Sequence, residues 1–295
     1  MTRRHALALL AAQAQPEIRI VFGGDVLLTR GVLRAAQAHH DYAWPFRGIA
    51  GVFREADIAF INLESPFTGN ARPARGDMVF RAPAEMVAGL AMAGIDVVST
   101  ANNHARDAGS AGIEATLTVL AENNIAAVGT GRGFNDAHAG IVLTREGVRS
   151  GFLAYTFDAN NGNYQDTDPR IAMMDLAQMR TDVASLRQRS DVVIVSMHAG
   201  WEYHKLPNPQ QKTFAQAAID AGAAVVVGHH PHVAQPWEFY RDGVIFYSLG
   251  NCVFDQSSPP ETKKGLLAEV TLQSARLAGV RVIPIEIMGT SPRIY

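Results

Sequence analysis

Residues 191–204 read DVVIVSMHAGWEYH and residues 223–232 read AAVVVGHHPH, with a polar, helix-like run between them. Short apolar, β-branched runs separated by a helical segment predict parallel strands that are buried on both faces. Both runs, Val192–Val195 and Ala223–Val227, lead into histidines, which are His198, His204, His229, His230 and His232. Ligands bind at the carboxyl ends of such strands. We therefore expect these histidines to form half of a metal site.

The composition indicates a globular α/β protein with a large core. The 295 residues are 47% hydrophobic and 18% charged, and layered α/β folds of this length often form one domain. The net charge of −2 argues against a nucleic-acid-binding surface. The single cysteine, Cys252, excludes an internal disulfide and a cysteine metal cage. We expect one domain over residues 16–295 and no internal membrane span.

The first fifteen residues differ from the rest of the chain. Arg3 and Arg4 precede the short apolar run of residues 6–12, and Ala12-Gln13-Ala14 matches an A-x-A cleavage pattern. The pattern predicts a signal peptide over residues 1–15 and export to the periplasm or cell envelope. Because the apolar run is short, a frayed or misannotated N-terminus is the alternative.

Carboxylates follow two predicted strands in the first quarter of the chain. Asp25 follows the strand predicted over residues 17–23, and Glu64 follows the strand predicted over residues 57–62. At a strand's carboxyl end, both side chains are candidate metal ligands. The alternatives are that Asp25 caps a helix and that Glu64 lies on the surface.

Two amides, an imidazole and a carboxylate follow the strand predicted over residues 95–99. They are Asn102, Asn103, His104 and Asp107. An amide oxygen can bind a hard divalent ion, and a histidine beside it can act as an acid or base. Asp107 is also predicted to cap a helix over residues 112–123.

Further elements are predicted from periodicity and turn residues. Helices are predicted over residues 31–40, 83–93, 175–189 and 207–221. Hairpins are predicted over residues 140–155 and 237–249, closing strands over 266–272 and 280–287, and a mobile loop over 157–170.

Seven candidate ligands or acids thus follow successive strands. They are Asp25, Glu64, Asn103, His104, His198, His230 and His232. A set of oxygen and imidazole groups without thiolate suits Mn, Fe, Zn or Mg. A carboxylate between two ions about 3.5–4 Å apart could bridge them, and such a pair activates water and polarises a phosphoryl or acyl oxygen.

Six motifs carry a resemblance to a known family. In order they are GGDVLLTRG (23–31), NLESP (62–66), ANNHARDAG (101–109), HAGWEYH (198–204), GHHPHVAQPWE (228–238) and SLGNCVFDQ (248–256). They resemble the CapA family, bacterial proteins named for poly-γ-glutamate capsule synthesis, which is similar to the calcineurin-like metallophosphoesterases. The resemblance implies a four-layer α/β/β/α sandwich with a dinuclear metal site at one end of its sheets.

The resemblance also implies roles for individual residues. It places one or two divalent ions on Asp25, Glu64, Asn103, His198, His230 and His232, with His229 as the alternative register for the last motif. It makes His104 the acid that protonates the leaving group. Glu202 is a weaker candidate base, and Asn102, Asp107, Tyr203 and Asn251 are candidate substrate-binding residues. The alternative for residues 251–256 is a loop held by its own hydrogen bonds.

Two departures from the phosphoesterase pattern bear on the metal site. Phosphoesterases have Asp-x-His at the first motif, whereas Val26 and Leu27 follow Asp25 here, so that one imidazole ligand is missing. Glu64 stands where the bridging aspartate is expected, which lengthens the side chain by one methylene.

The sequence leaves three functions open. The first is metal-dependent hydrolysis or transfer on a phosphoester, a small molecule or a polyglutamate-type peptide, linked to capsule biosynthesis. The second is acid–base chemistry such as peptide epimerisation. The third is a non-catalytic component of a capsule assembly or export complex, with membrane proteins of capsule synthesis as partners and no nucleic acid.

Overall fold

The computed structural model describes residues 17–68, 78–156 and 168–295. The predicted signal peptide over residues 1–15, and most of the loop predicted over 157–170, lie outside these ranges. Within them, no helix is both long enough and apolar enough to cross a membrane.

The described ranges form fourteen strands, seven α-helices and three 3₁₀ turns. The strands are β1 (Glu17–Val26), β2 (Ile58–Leu63), β3 (Val97–Ser99), β4 (Ala126–Val128), β5 (Ile141–Arg145), β6 (Val148–Thr156), β7 (Val192–His198), β8 (Val225–His229), β9 (Trp237–Tyr240), β10 (Gly243–Phe246), β11 (Asn251–Val253), β12 (Lys264–Gln273), β13 (Arg276–Met288) and β14 (Ser291–Ile294). The helices are α1 (Arg30–Ala38), α2 (Ala50–Arg54), α3 (Val87–Ala93), α4 (Gly109–Glu122), α5 (Phe134–His138), α6 (Leu176–Arg187) and α7 (Pro209–Ala221). The 3₁₀ turns are Trp44–Phe46, Ala84–Met86 and Pro260–Lys263.

The strands form two mixed sheets. The first has the order β14-β13-β12-β1-β2-β3-β4, and β11 pairs in parallel with the end of β1. The second has the order β5-β6-β7-β8-β10-β9. Neighbours from β1 to β4, and from β6 through β7 and β8 to β10, run parallel. The carboxyl ends of these strands therefore meet at one edge of the molecule.

Three hydrophobic layers define the architecture. The middle layer lies between the sheets and contains Phe22, Phe60 and Phe152. An outer layer that contains Phe53 and Leu90 packs helices on the first sheet, and another that contains Met179 and Phe214 packs α6 and α7 on the second. Apolar side chains on both faces of the central strands require this cover on both sides. The predicted four-layer α/β/β/α sandwich is confirmed.

Most predicted elements form, with shifted boundaries. The two histidine-bearing strands are β7 and β8, and the helix between them, α7, has Pro209 at its first position and Asn208 as its cap. The single helix predicted over residues 83–93 is instead the turn Ala84–Met86 followed by α3, with Pro83 in extended conformation before it. An extended proline sets where a helix can begin.

A close backbone contact holds the end of β1 against the segment before β11. Asp25 N donates to Gly250 O at 3.0 Å. A Cβ added to Gly24 would lie 1.8 Å from that same carbonyl oxygen. Only glycine fits there, and this contact fixes the backbone of Asp25.

We expect Gly24→Ala to destabilise the protein by about 1–3 kcal/mol, because a backbone atom blocks the added methyl group. Gly51 in α2 is the matched control, since an added Cβ there meets nothing within 4 Å. Gly51→Ala should be neutral or stabilising by about 0.4–1 kcal/mol. Urea unfolding followed by circular dichroism measures both, and equal effects would contradict the close-contact argument.

Candidate metal centre

Two clusters of buried ligand-type side chains lie at the carboxyl edge of the sheets. One consists of Glu64, His198 and His230, and the other of Asp25, Glu64 and His232. In each cluster the candidate ligand atoms lie within 4.8 Å of one another. Glu64 belongs to both, so its carboxylate is where the two clusters join.

The ligand-type residues come from both sheets. Asp25 lies at the end of β1, and Glu64 follows β2, where its backbone N donates to Val26 O at 2.9 Å. His198 ends β7 in register with His229, which ends β8. All four residues therefore lie at strand ends, two from each sheet, and the packing of the two sheets brings them to one level of the sandwich.

The turn after β8 has an unusual backbone. His230 and His232 have φ angles of 98° and 58°, in the left-handed region that L side chains rarely adopt. Such conformations cost free energy and concentrate at functional sites. Here they aim two imidazoles from neighbouring positions toward the same carboxylates.

Glu64 is a buried carboxylate without a hydrogen-bond partner. It is 0% exposed, and no described group bonds either of its oxygens. His198 Nε2 and His232 Nε2 lie 3.7 and 3.9 Å from its Oε1. Burial raises the pKa of Glu64 well above its usual range; His232 opposes this, and the nearby charges of Asp25 and Glu202 add to it. The group therefore requires a proton or a cation.

Asp25 is buried but well supplied with donors. Asn62 Nδ2 donates to Oδ1 at 2.8 Å, and His230 N donates to Oδ2 at 3.2 Å. Burial alone would raise its pKa, but the hydrogen bond and charge of His232 outweigh that effect and hold the pKa below its ordinary value. Asp25 is thus an anion in the folded protein. Asn62 was not predicted, although it shares the inward face of β2 with Phe60.

The imidazoles fall into two electrostatic groups. Burial lowers the pKa of His198, of His229 to about 4 and of His230 to about 3, so all three are neutral. Burial would also lower the pKa of His232, but the carboxylates of Glu64 and Asp25 raise it to about 9. His232 therefore carries the positive charge that the two carboxylates require.

Two amides contact the candidate ligands. Asn103 Oδ1 lies 2.7 Å from His198 Nε2, so the ligand atoms of these two residues face each other. Asn251 Oδ1 lies 2.9 Å from His232 Nδ1, and Asn251 is fully buried. This contact leaves His232 Nε2 directed to Glu64.

His104 and Asp107 form a buried pair beside the clusters. His104 Nδ1 lies 2.7 Å from Asp107 Oδ2, and the His104 ring stacks on Phe80 with centroids 3.8 Å apart. The prediction that Asp107 caps a helix is wrong: α4 begins at Gly109 without a side-chain cap. The Asp107 carboxylate instead accepts from His104 and from Phe80 N at 2.5 Å.

The other predicted site residues differ in how deeply they are buried. Asn102 is buried and donates to Leu63 O at 2.8 Å, while its Oδ1 accepts from His104 N at 3.1 Å. Tyr203 is 40% exposed, and its hydroxyl accepts from Gln256. The charge of the half-buried Glu202 raises the pKa of Glu64, Tyr203 and His232, which places it beside the site.

His204 is the one histidine of the two histidine-rich stretches that lies apart. It is exposed, and its ring contacts Trp201.

The donor set fits divalent metal ions. Glu64 has two unpartnered buried oxygens, and His230 Nδ1 is also unpartnered and buried among the described residues. The Nε2 atoms of His198 and His232 lie 3.7 and 3.9 Å from Glu64 Oε1. Two ligands of one tetrahedral zinc ion are roughly 3.4 Å apart. These residues could hold one or two such ions.

We expect binding of Mn²⁺ to release protons and to tighten as the pH rises. His232, whose pKa the carboxylates of Glu64 and Asp25 raise to about 9, holds a proton at neutral pH, and a bound cation must displace that proton. Affinity should increase by up to about tenfold per pH unit between pH 6 and the His232 pKa of about 9. Calorimetry in buffers of different ionisation enthalpy measures both effects. Binding that is independent of pH would contradict the assignment.

Comparison with known proteins shows which family the chain resembles. The family described as "Bacterial capsule synthesis protein PGA_cap" matches residues 19–256. "Capsule biosynthesis protein CapA" of Bacillus anthracis is 31% identical over 301 residues, which cover 99% of this chain and 72% of that protein. "PGA biosynthesis protein CapA" of Bacillus subtilis strain 168 is 33% identical over 275 residues, with coverage of 92% and 72%.

Solved structures share the fold at low sequence identity. A hypothetical protein from Thermus thermophilus aligns with a TM-score of 0.59 and 16% identity, over 91% of this chain and 99% of that chain. The NAD nucleotidase of Haemophilus influenzae aligns with a TM-score of 0.53 and 11% identity, over 93% and 51%. The sandwich is thus shared with these two solved structures, and the chain belongs to the bacterial capsule synthesis protein family, PGA_cap.

Proposed function

We propose that this protein is a metal-dependent hydrolase that cleaves a phosphoester or a polyglutamate-type peptide bond during capsule biosynthesis in the cell envelope. The observation that carries the proposal is Glu64, a fully buried carboxylate with two unpartnered oxygens, shared by two clusters of ligand-type side chains. A structural carboxylate would have hydrogen-bond partners. A carboxylate that binds metal ions would bond to those ions instead, so it would need no hydrogen-bond partner within the protein.

Six residues would hold the ions. They are Asp25, Glu64, Asn103, His198, His230 and His232. Bound there, divalent ions supply Lewis-acid polarisation of the scissile group and activation of a water molecule. Asn62 and the backbone of His230 orient the Asp25 carboxylate, and Asn251 orients the His232 ring.

His104 is the proposed general acid. The Asp107 carboxylate accepts from Nδ1–H of His104, which leaves Nε2 free to take up a proton and to donate it to the leaving group. Phe80 stacks on the His104 ring, and Phe80 N donates to the Asp107 carboxylate. The segment before the 3₁₀ turn Ala84–Met86 therefore holds His104 and Asp107 in place. Glu202 is a weaker candidate for a base, and we propose the exposed Tyr203 as a contact for the substrate.

The substrate class follows from the relatives rather than from the site. The Bacillus proteins are described as acting in capsule biosynthesis and PGA biosynthesis. We propose a glutamate polymer or a phosphorylated precursor as substrate, and membrane proteins of capsule synthesis as partners. The envelope location is proposed from residues 1–15, which lie outside the described residues.

We expect Glu64→Gln to lose at least one bound ion per chain, because the neutral amide lacks the negative charge of the carboxylate that both clusters share. Glu269→Gln is the matched control, since Glu269 is also buried but pairs with Arg281 away from the site. Elemental analysis after dialysis against Mn²⁺ or Zn²⁺ measures the content. Wild-type content in Glu64→Gln would end the proposal of a Glu64-centred metal site.

We expect His104→Gln to keep the bound metal but to lower kcat by about 10²–10⁴-fold, as loss of a general acid does. A panel of p-nitrophenyl phosphodiesters and γ-glutamyl peptides, assayed with Mn²⁺, measures the rate. His138→Gln is the control, because His138 is also buried against a carboxylate, Asp182, outside the site.

Two results would argue against hydrolysis with His104 as acid. One is an unchanged rate in His104→Gln. The other is deuterium uptake from D₂O into a peptide without cleavage, which would favour the epimerisation alternative.

A further inference from the structure

We propose that His229 positions Asp25 for metal binding by donating its Nδ1–H to Oδ1 of that carboxylate. The inference rests on the proposed function, because it concerns the same metal centre. It assigns a role to a histidine that none of the six ligand positions uses.

His229 is fully buried, with an aromatic ring nearby. His229 is the last residue of β8 and is 0% exposed. Its ring lies near that of Phe60, at a centroid distance of 6.2 Å, in the layer between the sheets. Neither ring nitrogen has a hydrogen-bond partner among the described residues.

A buried imidazole with two unused nitrogens works against folding. Burying a polar group without a partner is unfavourable, and replacing it by an apolar group of similar shape can be neutral or stabilising. Phe60 and its neighbours would accept an apolar side chain here. A residue that disfavours the fold at such a position is expected to serve function.

The geometry shows which group His229 serves. Its Nδ1 lies 3.7 Å from Asp25 Oδ1. His232 Nδ1 approaches the other oxygen of Asp25, Oδ2, at 3.4 Å. Neither three-residue cluster of ligand-type atoms in the described ranges includes His229. His229 thus lies outside both clusters and approaches the Asp25 oxygen that Asn62 also bonds, so it would act on a bound cation through that carboxylate.

The contact completes the support of Asp25. Asn62 already donates to Oδ1, and a shift of less than about 1 Å brings His229 Nδ1 to hydrogen-bond distance. With both Asn62 and His229 donating to Oδ1, the Asp25 carboxylate would be held so that Oδ2 is the oxygen available to a cation. Partners that orient a metal ligand typically change metal affinity by about 10–100-fold.

The test compares two substitutions with opposite expectations. In His229→Leu we expect the Mn²⁺ dissociation constant to rise about 10–100-fold, while the melting temperature of the metal-free protein stays equal or increases. In His229→Asn the side-chain amide occupies the place of Nδ1–H, and we expect a dissociation constant within about threefold of wild type. His138→Leu is the control, since that buried histidine bonds Asp182 and not the site.

Calorimetry measures the dissociation constants, and circular dichroism measures the melting temperatures. The absorption spectrum of the Co²⁺ form reports the coordination number, which a positioning role leaves unchanged. Loss of one imidazole ligand from the Co²⁺ form of His229→Leu would overturn the inference by making His229 a ligand.

Each of the remaining outcomes would overturn the inference. Wild-type affinity in His229→Leu, no rescue in His229→Asn, or failure of His229→Leu to fold would overturn the inference while leaving the metal centre intact. If the wild-type protein itself binds no divalent ion, the proposed function fails and this inference fails with it.

Discussion

The buried carboxylate of Glu64 sets the electrostatic requirement of this edge of the molecule. A charged group taken out of water without a partner is very unfavourable, and a buried carboxylate either keeps its proton or meets a positive charge. Burial raises the pKa of Glu64, and the neighbouring carboxylates raise the pKa of His232 to about 9. His232 therefore holds a proton where a bound cation would otherwise meet the two carboxylates.

The sandwich supplies that environment through the ends of its strands. Apolar layers on both faces of each sheet exclude water, and the carboxyl ends of β1, β2, β7 and β8 meet above the middle layer. Gly24 lets β1 approach Gly250 closely, and the left-handed backbone at His230 and His232 aims their rings at Asp25 and Glu64. Rigid strands and a strained turn together fix the ligand set.

The site combines a family pattern with a local departure from it. The chain belongs to the capsule synthesis family, and two clusters of ligand-type side chains lie at the ends of its strands. Leu27, however, stands where phosphoesterases have the histidine of Asp-x-His, and it lies in the hydrophobic layer of the first sheet. This segment therefore contributes only Asp25 to the site. The support of Asp25 comes from Asn62, from the backbone of His230 and, as we propose, from His229.

The sequence by itself determined the strand-and-helix order and which strand ends bear carboxylate, amide and imidazole groups, because periodicity and turn residues are local properties. The four-layer class was implied by the resemblance of its motifs to a known family. The sequence did not reveal that Asp107 binds His104 rather than capping α4, that Asn62 binds Asp25, or that no described group bonds the buried oxygens of Glu64. Those contacts link residues as far apart as Asp25 and His230, which are 205 positions apart in the chain. Only the packing of one sheet on the other brings such groups into register, because hydrogen-bond partners and burial depend on distances that local periodicity does not encode.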